Sequence, residues 1–156
     1  MVQKPDINLK TGSAKARKSA ARLFAVQALY QIVFDKKPVD AVLREFRDHR
    51  IGYEQDGDLI VPGDLDLFSK IVTGVEDRRP DLEHVINAAL NGREKELEVL
   101  LYCILLAGTF ELLEHQDIDG PIIISDYLNV THAFFDQSET KLVNGVLDRL
   151  KKQFRA

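Results

Sequence analysis

The run Val99 to Phe110 reads Val-Leu-Leu-Tyr-Cys-Ile-Leu-Leu-Ala-Gly-Thr-Phe and is the most apolar stretch of the 156-residue chain. It falls well short of the ~20 residues needed to cross a bilayer. Read as a helix from about Glu94 to Leu113, it places Leu97, Leu100, Leu101, Ile104, Leu105 and Gly108 nearly all the way round. A helix that is apolar on every side must be wrapped by other elements. The rest of the chain therefore has to supply amphipathic helices around it.

The periodicity supplies them. Ala21, Phe24, Ala25, Ala28, Leu29, Ile32 and Val33 form one stripe of a first helix from about Ser13 to Phe34. A second helix follows Pro38, a favoured first-turn residue, with Val39, Val42, Leu43 and Phe46 on one face and Gly52 beyond its end. Asp64 is placed to cap a third, striped by Leu65, Phe68, Ile71, Val72 and Val75. Pro80 starts a fourth, carrying Leu82, Val85, Ile86 and Ala89 and closed by Asn91-Gly92.

Gly120-Pro121 breaks the chain after the central helix, and Ile122-Ile123-Ile124, lacking a partner strand, reads as an extended lead-in. Ser125 or Asp126 then caps a sixth helix to about Phe134. Ser138 caps a seventh with Leu142, Val143, Val146, Leu147 and Leu150. Residues 1–12 are expected to be a flexible tail and 52–63 a loop. The expectation is an all-α fold of about seven helices, with residues 13–156 as one domain and no internal repeat.

An apolar content of 45% suffices for a core, and the lone Cys103 excludes a disulfide framework or a Cys-rich zinc site. Cys103 lies inside the apolar run, where a packed, inert thiol is expected. No apolar h-region follows the basic N-terminus, so a secretory signal is not read there, and a soluble intracellular protein is expected. His49, His84, His115 and His132 fall on separate elements without a metal-ligand spacing. Asp56-x-Asp58 and Asp64-x-Asp66 lack the third acid, glycine and terminal Glu of a calcium loop. With no phosphate loop, nucleophile elbow or Cys/His pair, neither enzyme activity nor a metal or cofactor is expected.

Charge is polarised along the chain. Residues 1–22 hold six Lys or Arg against Asp6, whereas residues 23–156 hold fifteen basic against twenty-four acidic side chains. At about 100° per residue, Lys15, Lys18 and Arg22 fall on one line beside the apolar stripe, with Arg17 to another side. Cations in a first turn oppose the helix macrodipole, so helix stability does not account for them. Two readings stand: a solvated helix start that only aids solubility, or a row that can follow a phosphate backbone, where neutralisation releases counterions.

Two segments say more than periodicity does: Ala25-Val26-Gln27-Ala28-Leu29-Tyr30 behind the basic row, and Val143-Asn144-Gly145-Val146-Leu147-Asp148 near the C-terminus. With Pro121-Ile122-Ile123-Ile124-Ser125-Asp126-Tyr127 between them, their order and spacing resemble the NusB family of bacterial transcription antitermination factors, over roughly residues 15 to 150. The resemblance implies an all-α fold of two packed helical subdomains and a non-catalytic, cytoplasmic role. It implies binding of single-stranded boxA RNA from ribosomal RNA leaders together with the ribosomal protein NusE, within the RNA polymerase antitermination complex, with no membrane partner and no cofactor.

The row Lys15, Arg17, Lys18 and Arg22 is the candidate RNA-backbone contact; carried onto this sequence, the resemblance puts Arg17, Lys18 and Arg22 on the family's basic motif, matches Gln27 and Tyr30 to its Gln and Tyr, and puts Phe134, Ser138, Lys141 and Leu142 where the family contacts RNA. Tyr30 stacks on a base, closes an edge of the NusE surface, or is a core-boundary tyrosine. Ser138 and Leu142 stand where relatives frequently have Asp and Phe, which removes an acid and a stacking ring. Leu101 and Leu106 replace an acid and an arginine of the central helix, so the NusE contacts there do not carry over. Gly145 is expected to permit close helix packing. Two other roles fit a helical module: positioning RNA for a ribosomal RNA methyltransferase, and scaffolding a protein partner.

Overall fold

The computed structural model describes residues 13–51 and 63–155. The expected tail at 1–12, most of the expected loop at 52–63 and the Asp56-x-Asp58 pair lie outside the described residues. Every described element is helical, and the chain divides into two compact units, residues 1–70 and 71–156.

The first unit holds α1 (Ala14–Phe34), α2 (Val39–His49) and the first turns of α3 (Leu65–Asp77). Ser13 caps α1 by accepting from the Ala16 amide at 3.0 Å. Lys36, with φ 55°, makes the left-handed step into Pro38, whose extended backbone starts α2. Asp64 caps α3 as expected, its Oδ1 accepting from the Leu67 amide at 3.0 Å, and its own amide donates to the Arg17 carbonyl at 2.9 Å. The core is an aromatic stack: Phe24 meets Phe46 edge-on at 6.2 Å, and Phe46 lies against Phe68 at 5.6 Å.

The second unit wraps α5 (Val99–Glu114) with α4 (Arg79–Ala89), α6 (Gly120–Phe134) and α7 (Gln137–Phe154). Leu101 and every residue from Cys103 to Leu112 are buried, as an all-round apolar helix requires. Leu147 of α7 closes on Gly108, where a Cβ would stand 3.0 Å from its methyl. At Gly74 a Cβ would overlap the Phe110 ring. Gly74 and Gly108 thus permit close packing between helices. Gly145, expected in that role, is exposed and has nothing within 4 Å of where its Cβ would be.

Three helix starts differ from expectation. The central helix begins at Val99, because after the left-handed Asn91 and Gly92 the chain makes only a 3-10 turn, Glu94–Glu96, before the extended Leu97. The sixth helix begins at Gly120, so the triple isoleucine is helical. Pro121 presets the first turn, and burial of Ile123 and Ile124 outweighs the weak helix preference of β-branched residues. The seventh begins at Gln137 behind Asp136, which leaves Ser138 inside the first turn rather than capping it.

Candidate nucleic-acid interface

In the first unit, Lys15, Arg17 and Lys18 stand exposed on the opening turns of α1. None of the three pairs with a carboxylate among the described residues, and the first turn of α1 holds no acid. Among the described residues, no carboxylate would have to be displaced from these cations before a phosphate bound.

Arg22 departs from the expected row. It is only 3% exposed and does not share the solvent-facing line of Lys15 and Lys18. From Ala21 onward α1 is enclosed on most sides, with Ala21, Phe24, Ala25, Val26, Ala28 and Leu29 all buried, and the arginine is enclosed with them. Gln27 and Tyr30 are half-buried further along the helix. The Tyr30 ring stacks on Phe34 with centroids 5.1 Å apart and planes within 10°, and Phe34 is 58% exposed. Sequence reasoning passed over Phe34, although its i+4 spacing from Tyr30 was the signal.

In the second unit, Phe134 ends α6 at 39% exposure, and Ser138 and Lys141 are exposed on the first turns of α7. The Ser138 hydroxyl donates to Glu139 Oε1 at 2.9 Å. That bond and backbone amides hold the Glu139 carboxyl below its usual range, the amides being the larger cause. Ser138, Glu139 and Leu142 line one side of an open cavity of about 400 Å³, with Arg93, Glu96, Leu97, Glu98 and Leu101 on the other. Lys141 is not among its lining residues.

No group of three metal-ligating side chains occurs among the described residues. His49, His84 and His132 are exposed. Cys103 is buried, and the loss of solvent pushes its thiol up to about 12, which keeps it protonated at neutral pH. Tyr102 beside it donates to Asn87 Oδ1 at 2.6 Å, and burial, then the charge of Glu83, pushes its phenol up to about 12.

Glu111, a carboxylate inside the apolar helix, is wholly buried. It accepts from the Tyr127 hydroxyl at 2.6 Å and meets His115 Nδ1 at 2.9 Å. This satisfied buried group serves packing and lies apart from the candidate residues. The signal for it was an acid at i−4 from a histidine.

No described helix is long and apolar enough to cross a membrane. The profile of the NusB family matches residues 19–152. The transcription antitermination protein NusB of Rhizobium rhizogenes is 41% identical over 150 residues, covering 95% of this chain and 94% of that protein. That of Nitrobacter hamburgensis is 35% identical over 153 residues, covering 97% and 96%. Among solved structures, T. maritima NusB superposes with a TM-score of 0.75 at 22% identity, over 89% of this chain and 93% of that one. NusB in a complex of the antitermination factors NusB and NusE with dsRNA gives 0.73 at 20% identity, over 89% and 98%. The chain belongs to the NusB family.

Proposed function

We propose that this chain is a cytoplasmic, non-catalytic antitermination factor that binds boxA-type single-stranded RNA together with NusE. Relatives at 35% to 41% identity carry the antitermination name, and a structural neighbour holds NusE and dsRNA. The observation that carries the reading is the exposed trio Lys15, Arg17 and Lys18, without a carboxylate partner among the described residues, in a chain of net charge −4. A cluster of exposed cations on an otherwise acidic chain sets up a local positive potential that concentrates and steers an anionic partner.

In this reading the trio tracks the phosphates, and Tyr30 and Phe134 offer rings to splayed bases. Lys141 adds a further charge on α7. Arg22 braces α1 from inside. The experiment is an RNA titration over a salt series. Log affinity falls with log salt at about −0.7 per phosphate contacted, so charge reversal at Lys15, Arg17 and Lys18 should flatten the slope by about two units. An unchanged slope contradicts the reading.

A further inference from the structure

Gly145 is a residue of α7 that the fold leaves unexplained. A glycine weakens a helix interior relative to alanine, and it is kept where the backbone needs a positive φ or where a neighbour would collide with a Cβ. Neither holds here. Among the described glycines only Gly92 has a positive φ, and nothing lies within 4 Å of where a Cβ would stand on Gly145. A third use of glycine is to let a ligand come close to the backbone.

What borders the gap is cationic. At about 100° per residue, Ser138, Lys141, Gly145 and Arg149 (i, i+3, i+7, i+11) fall along one side of α7. Within one turn of Gly145 the exposed side chains are Lys141, Asn144 and Arg149, none of them apolar. Neither Lys141 nor Arg149 pairs with a carboxylate among the described residues, while Asp148, the acid of this stretch, is held by Lys152 at 3.0 Å. A docking helix would find no exposed apolar side chain to bury here. A sugar-phosphate strand finds a cation about 6 Å to either side along the helix axis and no side chain between them.

We propose that a stretch of RNA backbone lies against α7 at Gly145, with Lys141 and Arg149 neutralising phosphates on either side and Asn144 offering its amide to a ribose hydroxyl. The inference rests on the antitermination reading for RNA as the ligand, and it adds Asn144, Gly145 and Arg149 to the residues that touch it. The glycine that weakens the helix is then kept for contact, a trade of stability against function.

The test titrates boxA RNA against the full chain with NusE present, over a salt series, for wild type, Gly145→Ala, Gly145→Leu and Arg149→Gln. Calorimetry reads NusE affinity separately, without RNA. Gly145→Leu should weaken RNA binding at least tenfold and Gly145→Ala less, while both melt no lower than wild type. A substitution that harmed only the fold would lower the melting midpoint as well. Arg149→Gln should flatten the salt slope by about 0.7, and NusE affinity should stay level throughout. If wild type binds RNA and Gly145→Leu and Arg149→Gln bind it as tightly, this inference alone is overturned. If Gly145→Leu weakens NusE binding instead, the strip serves protein and the inference is likewise overturned. If wild type itself binds no RNA, the antitermination reading falls and takes this inference with it.

Discussion

Gly74 and Gly145 differ in what surrounds them, and substitution by alanine should separate them by sign. A Cβ at Gly74 has the Phe110 ring in its place, and overpacking a closed core costs about 1–3 kcal/mol. Gly145 is exposed on a helix with open space around it. Gly145→Ala should therefore gain about 0.5–1 kcal/mol from helix propensity, raising the melting midpoint by roughly 2–4 °C in a chain of this size. Thermal melts of both variants check the pair, and a Gly74→Ala melt as high as wild type would contradict the packing. At the same scale, Cys103 and Tyr102 are both pushed up to about 12 by burial. The folded state holds these protons longer than the unfolded chain, whose thiol and phenol release them at about 8.5 and 10. Stability should accordingly fall as pH rises through 9 and beyond, and thiol reagents at pH 8 should label Cys103 only after unfolding.

At the scale of the helices, the C-terminal residues of α7 hold the turn between α5 and α6. Arg155 donates from Nε to the Leu112 carbonyl at 2.8 Å, from Nη1 to Ile118 at 2.6 Å and from Nη2 to His115 at 2.7 Å. These carbonyls lie at the end of α5 and in the turn after it, where Leu112 also accepts from Gln116 and His115 from the Ile118 amide. Arg155→Ala should cost about 2 kcal/mol, since a charged donor is lost and the carbonyls lose a partner. Denaturant titration measures this as a lower midpoint at unchanged slope. None of this clamp was legible in the sequence, because a terminal Arg carries no periodic signal.

The helices themselves were legible where stripe and cap agreed. Ser13, Asp64 and Pro80 stand within a residue of the observed starts. They were misread where local propensity opposed burial. Ile122-Ile123-Ile124 looked extended because β-branched residues disfavour helix, yet burying Ile123 and Ile124 decides the conformation. Gly145 looked like a packing glycine because it stands mid-helix despite poor helix propensity, yet its phase on α7 puts it in solvent.

For the whole molecule, the exposure of the candidate residues was legible only in part. Lys15, Arg17 and Lys18 are exposed as their placement before the apolar stripe suggests, whereas Arg22 sits 3% exposed because α1 is enclosed from Ala21 onward. Helical phase alone does not say how much of a helix its neighbours cover. The account assigns RNA tracking to the cationic end of α1. Its most direct test is one titration of boxA RNA against a scrambled sequence, with NusE present, on wild type and on the Lys15→Glu, Arg17→Glu, Lys18→Glu triple variant. The account predicts at least tenfold preference for boxA by wild type and at least tenfold weaker binding of both RNAs by the variant. Equal binding of the two RNAs by wild type, or a variant that binds as tightly as wild type, would contradict it.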